Sequence, residues 1–206
     1  CTLNYGKSLT TNKRKAGNIP VYSSAGITGW HNQSLVDSKG IIVGRKGTVG
    51  SVFYSESPFY CIDTAYYVLP NDDIYNFKYL FYRLDSLGLR DLNEDSAVPG
   101  LNRDTAYSQT FSLPPLLEQK AIADTLSCLD DKIELNNKIN ANLEQTAQAI
   151  FKSWFVDFEP FQDGEFVESE LGRIPKGWRV GTLLDIAQYL NGLAMQKFRP
   201  NDDEKG

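Results

Sequence analysis

Histidine, methionine and cysteine are nearly missing from this 206-residue chain, which holds one His, one Met and three Cys. With His31 alone there is no histidine pair for a metal and no triad built on a histidine base, and a surface or turn position is expected for it. Cys1, Cys61 and Cys128 are widely spaced and form no CxxC pair, which argues against a disulfide framework and a zinc site and fits a reducing cytoplasm. No apolar run approaches the ~18 residues of a membrane span, and no charged-then-apolar leader is present, so a soluble chain without membrane contact is expected. The chain opens on Cys1 and its only Met is Met195, so its numbering is expected to begin inside a longer or processed polypeptide.

Nucleotide loops are missing too. NYGKS offers Gly-Lys-Ser, but a phosphate loop needs a glycine where Cys1 stands. GRKGTVG lacks the dinucleotide GxGxxG spacing and an obvious following helix, and reads as a β-turn. The acidic pairs Asp72-Asp73, Asp130-Asp131 and Asp202-Asp203 fall in cap, helix-surface and tail contexts, as solvated faces. No catalytic constellation and no metal site emerges, and none is expected.

What the chain does have is 41% apolar residues, enough for one core and an appendage, and a segregated charge. The net charge is −5, yet residues 1 to 50 carry Lys7, Lys13, Arg14, Lys15, Lys39, Arg45 and Lys46 against Asp37 alone, a local +6. Residues 51 to 113 sum to −5 and residues 114 to 206 to −6. A local basic patch attracts phosphates whatever the overall charge.

The organising stretch runs from Pro115 to about Trp154, some forty residues without an internal Gly or Pro. Alternating steps of four and three give Ile122, Leu126, Leu129, Ile133, Asn136, Asn140, Leu143, Ala147, Ile150 and Trp154, a heptad seam. As one helix it would extend about 60 Å, far beyond the ~11-residue average helix, so it cannot be wholly buried in a domain of this size. A stripe facing its own domain drifts with the 3.6-residue period, whereas strict alternation is the period of a supercoiled pair. Asn136 and Asn140 in the seam would fix register and partner number, since each buried amide needs a facing partner. A second helix is therefore expected beside this one.

From Ile19 to Pro70 the chain reads as short strands, IPVYSS, GITGW, GIIVGRKGTVGSVFYS and FYCIDTAYYVLP, with glycines at turns. Tyr75 to Leu89 spaces Phe77, Leu80, Phe81 and Leu84 as the inner face of a helix, with Asn71 or Asp72 as cap. A loop, EDSAVPGLNRD, turns at Pro99-Gly100 and presents Asn102 and Arg103, and a short strand FSL leads into Pro114-Pro115. After the long helix, FVDFEPF and FQDGEFVESELG read as a connector whose aromatics pack back on the helix. LNGLAMQKFRPNDDEKG at 190 to 206 can be laid on LNYGKSLTTNKRKAG at 3 to 17, so IPKGWRVGTLLDIAQY is expected to form the opening strand and helix of a second unit, or of the first in permuted order. The expected fold is a mixed α/β domain with a twisted mixed sheet over 1 to 113, a spacer helix over 114 to 158, and a connector with the start of a second domain over 159 to 206.

PPLLEQKAIA at the start of the helix, KSWFVDFEPF at its exit, IPVYSSAGITGW, GIIVGRKGTVG and SAVPGLNRD before it, and ELGRIPKGW after it together resemble the specificity subunit of type I restriction-modification enzymes. The resemblance implies a non-catalytic reader of double-stranded DNA: two target recognition domains, each reading half of an interrupted target, held apart by two long helices paired as an antiparallel coiled coil. Methyltransferase subunits would bring S-adenosylmethionine and a restriction subunit ATP, with no cofactor on this chain. With one recognition domain and one helix, the chain is expected to be either a half-subunit that homodimerises through the long helix or a fragment of a longer subunit. On this reading Lys7, Lys13, Arg14, Lys15, Arg45 and Lys46 line the DNA face and contact phosphates, while Tyr22, Ser23, Ser24, Asn102 and Arg103 read base edges. The competing reading is a β domain on a coiled-coil stalk that binds proteins and touches no nucleic acid.

Overall fold

The computed structural model of the chain describes residues 1–92 and 100–192. The expected Pro99 turn and most of the repeated 190–206 stretch lie outside these. Contacts divide the chain into two compact units, Cys1–Glu134 and Leu135–Gly206.

In the first unit, strands β1 (Asn4–Tyr5), β4 (Gly40–Gly44), β5 (Val52–Ser55) and β7 (Ala65–Val68) form a sheet in the order β1-β7-β4-β5, antiparallel throughout. A second sheet orders β3 (Gly26–His31), β2 (Ile19–Ser23) and β6 (Tyr60–Cys61), and only its β2/β6 pair is parallel. The fold is mixed α/β as expected, but the single mixed sheet is two sheets, with the mixed pairing confined to the second. The apolar run of β4 explains the layering. Ile41 and Val43 point into one core with Val52, Tyr66 and Val68, whereas Ile42 points into the other with Tyr22, Phe59 and Cys61. A strand buried on both faces has no alternation to display.

Helix α1 (Phe77–Asp85) closes the first core with Phe77, Leu80 and Leu84. Its cap is Asn76, whose Oδ1 accepts from Tyr79 N–H at 2.9 Å, not Asn71 or Asp72. A short helix α2 (Arg103–Tyr107) stands where the sequence suggests a loop, and FSL is not a strand. The turn between β4 and β5 holds Gly50 at φ 67, where a Cβ would lie 2.3 Å from the Leu89 carbonyl carbon, so backbone meets backbone there and only glycine fits.

Helix α3 runs Leu116–Phe155, within one residue at each end of the Pro115–Trp154 stretch and inside the expected 114 to 158. Its first turns dock on α1. Gln119, 1% exposed, accepts from Asn76 N–H at 2.8 Å through Oε1 and donates to the Pro114 carbonyl at 2.7 Å through Nε2. Ala123 is buried, and the Tyr82 hydroxyl donates to Asp130 Oδ2 at 2.6 Å.

In the second unit, α3 ends where Lys152 O accepts both Val156 N–H and Asp157 N–H, at 3.0 and 2.8 Å. Phe158 then turns left-handed, φ 55. That conformation costs an L-residue about 1–2 kcal/mol, and ring contacts to Phe166 at 6.1 Å and Trp178 at 5.4 Å return a similar amount. Trp178, which follows the expected connector, meets Phe155 on the helix at 6.0 Å, and the connector rings Phe158 and Phe161 pack on Trp178. The acidic connector is a hairpin, β8 (Phe166–Ser169) with β9 (Gly172–Pro175). The expected opening helix is one 3-10 turn, Leu183–Asp185, with a Thr182/Asp185 capping box. No helix among the described residues is long and apolar enough to cross a membrane.

Candidate nucleic-acid interface

Four of the expected DNA-facing residues converge. β1 runs along the edge of β7, setting Tyr5 opposite Tyr66, with ring centroids 5.1 Å apart. β4 is followed by Arg45 and Lys46, whose N–H groups both donate to the Thr64 carbonyl, at 2.9 and 3.0 Å. Leu101, 2% exposed, plugs the core and ties the segment after residue 99 to them: its N–H donates to Arg45 O at 2.8 Å, Tyr66 donates its hydroxyl to Leu101 O at 3.0 Å, and Gly100 bridges Lys46. Burial pushes the Tyr66 phenol pKa up, which keeps it a donor. Asn102 caps α2 by accepting from Asp104 N–H at 2.8 Å, and Arg103 follows. The result is an open cavity of about 310 Å³ lined by Tyr5, Arg45, Lys46, Tyr66, Asn102, Arg103 and Asp104, in which the Arg45 and Arg103 guanidinium carbons lie 4.9 and 5.3 Å from the Tyr5 ring centre. Three cations face one acid.

The remaining residues divide. Lys7, Lys13 and Lys15 are exposed. Arg14 is spent on structure, its Nη1 donating to Thr28 O at 2.6 Å across Gly29, where any Cβ would meet that nitrogen at 2.6 Å. Lys15 N–H donates to His31 Nδ1 at 3.0 Å, and His31 is 6% exposed, a buried anchor and not a surface residue. Three base-reading assignments are corrected. Tyr22 is 7% exposed and edge-on to Phe59, so it is a core residue. Ser24 is buried, and its carbonyl accepts from the Ser51 hydroxyl. Ser23 uses its hydroxyl inside its own turn, donating to Gly26 O at 3.2 Å and accepting from Ala25 N–H at 3.1 Å. Tyr5 is absent from the sequence expectation. An exposed tyrosine beside Gly-Lys is an ordinary sequence feature, and its meaning arises from two arginines distant in sequence.

Along α3 the heptad positions Ile122, Leu129, Ile133, Leu143, Ile150 and Trp154 are exposed, as are Asn136, Asn140 and Ala147, while Leu126 is half-buried. The seam presents an uncovered apolar stripe with two amides in it.

A sequence model described as the type I restriction modification DNA specificity domain matches residues 1–145. This chain belongs to that family. The specificity subunit of the type I restriction enzyme MjaIX from Methanocaldococcus jannaschii is 35% identical over 158 residues, which cover 74% of this chain and 36% of that protein. The HindI specificity subunit from Haemophilus influenzae is 39% identical over 108 residues, 49% of this chain and 24% of that one. The matched regions thus span about a third or less of these curated relatives. A solved type I restriction-modification S subunit from M. genitalium shares the fold, with a TM-score of 0.58 at 20% identity, over 81% of this chain and 49% of that chain. Within this specificity-family chain, all the basic and aromatic residues of the cavity fall inside the matched region.

Proposed function

We propose that this chain reads DNA sequence as the specificity part of a type I restriction-modification enzyme, without catalysing a reaction itself. The observation that carries the reading is the convergence of Arg45, Lys46, Asn102 and Arg103 on Tyr5, in a family of DNA specificity domains. Lys7, Lys13 and Lys15, all exposed, serve as phosphate contacts that set orientation, and the cavity residues face base edges. Arg14 contributes charge while holding β3. The recognition domain covers 1 to 113, α3 with its flanks serves as spacer over 114 to 158, and the remainder begins a second module. α3 pairs with a second long helix, antiparallel, so that two readers address the halves of an interrupted site at a fixed spacing. In the cytoplasm methyltransferase subunits then supply S-adenosylmethionine and a restriction subunit ATP.

Titration of a labelled duplex with this chain over a salt series tests the reading. DNA recognition requires log affinity to fall linearly with log salt. Affinity that is absent, or indifferent to salt, would favour a protein-binding scaffold instead.

A further inference from the structure

The two arginines over Tyr5 differ in what they have left to give. Arg45 is half-buried, its backbone is bonded on both sides, and its Nη1 donates to Asp63 O at 3.2 Å. Arg103 is exposed and, among the described residues, makes no hydrogen bond or ion pair, its one contact being the Tyr5 ring at 5.3 Å. No described residue engages its fork of donors, and a face stacked on an aromatic ring limits the directions in which the fork can point.

We propose that Arg103 reads a guanine in the major groove and that Tyr5 is its positioning residue, an inference that rests on the DNA-reading function above. Guanine offers two adjacent acceptors, O6 and N7, to a guanidinium fork, whereas adenine sets a donor beside N7. A phosphate would accept the same fork. With three cations against the Asp104 carboxylate the cavity does not repel a phosphate, and variants of Arg103 separate the two acceptors by base preference and salt slope. Asn102 stands beside the reader with one lone pair of Oδ1 committed to the α2 cap and its Nδ2 bonded to no described residue.

The test is selection of bound duplexes from a randomised pool by the whole chain, followed by titration at several salt concentrations. The wild type should select a guanine at one fixed position. Arg103→Lys keeps the charge and loses the fork, so preference for guanine over adenine at that position should fall about tenfold with the salt slope unchanged. Tyr5→Phe should retain the preference. Tyr5→Leu should lose it to the same degree, again at constant slope and with an unaltered circular dichroism spectrum, and if that variant unfolds Arg103→Lys decides whether Arg103 is the reader. A wild type without base preference overturns the proposal, as does an R103K chain that keeps every preference, or an Arg103→Ala chain that keeps every preference while its slope flattens by about one, the mark of a phosphate contact. Y5L behaving as wild type removes Tyr5. Failure of the wild type to bind any duplex would sink the DNA reading itself, a result distinct from all of these.

Discussion

Cys61 lies fully buried on β6, its Sγ 3.7 Å from Ala65 O, and burial, helped by the charge of Asp63, pushes its pKa up to about 12. Burial does the same to Tyr54, also to about 12, with Glu56 and Asp72 adding to it. Both groups therefore hold protons in the folded state that the unfolded chain has already released above pH 9 to 10, so unfolding becomes easier as pH rises from 9 toward 12. Thermal midpoints should decline across that window, and Cys61→Ala should move the onset up toward pH 10. A thiol reagent at pH 8 should label Cys1 and Cys128, both exposed, and reach Cys61 only after denaturant is added. At this scale the sequence is least legible. Ser23, Ser24 and Tyr22 carry the right atoms for base reading, but the tight β2/β3 turn and the second core consume them. Residue type states what an atom can do, and only the fold states whether it is free.

Gln119 shows the same limit for elements. A polar residue at the start of an amphipathic helix reads as solvent-facing, yet it bonds α1 and the Pro114 carbonyl at once and docks α3. Gln119→Ala should cost about 1 kcal/mol in urea denaturation, because it removes both hydrogen bonds and leaves a part-buried N–H and carbonyl without their partner. The long helix itself is readable to within two residues, since nothing in forty residues interrupts it, and β2 to β7 are readable from β-branched runs between glycines. The opening helix after Trp178 is not, since Leu183 and Leu184 are 66% and 78% exposed and face no core among the described residues of their own unit. The exposed seam carries a separate prediction. Light scattering should give the mass of two chains, and Ile133→Asp with Leu143→Asp, both on the uncovered stripe, should return it to one without lowering the thermal midpoint. A monomeric wild type would end the pairing model for this chain.

Across the molecule, charge is divided between a basic N-terminal quarter and an acidic remainder, +6 against −5 and −6. Lys13→Glu with Lys15→Glu should weaken binding to every duplex alike and flatten the log–log salt slope by about two, and an unchanged slope would remove both from the interface. The division is legible in the sequence, and so is the family. The cavity that focuses the charge is not, because it is assembled by β1 pairing with β7 and by Leu101 anchoring in the core. The hydrogen bonds that fix the cavity loops involve Arg45, Lys46, Asp63, Thr64, Tyr66 and Leu101, and those that dock α3 involve Asn76, Pro114, Tyr82, Gln119, Ser127 and Asp130. No residue belongs to both sets. Under the proposed function, vocabulary and spacing can therefore be inherited separately: mutations in the loops would give a lineage new target words at an old interval, and a heptad gained or lost in the helix would give it old words at a new one.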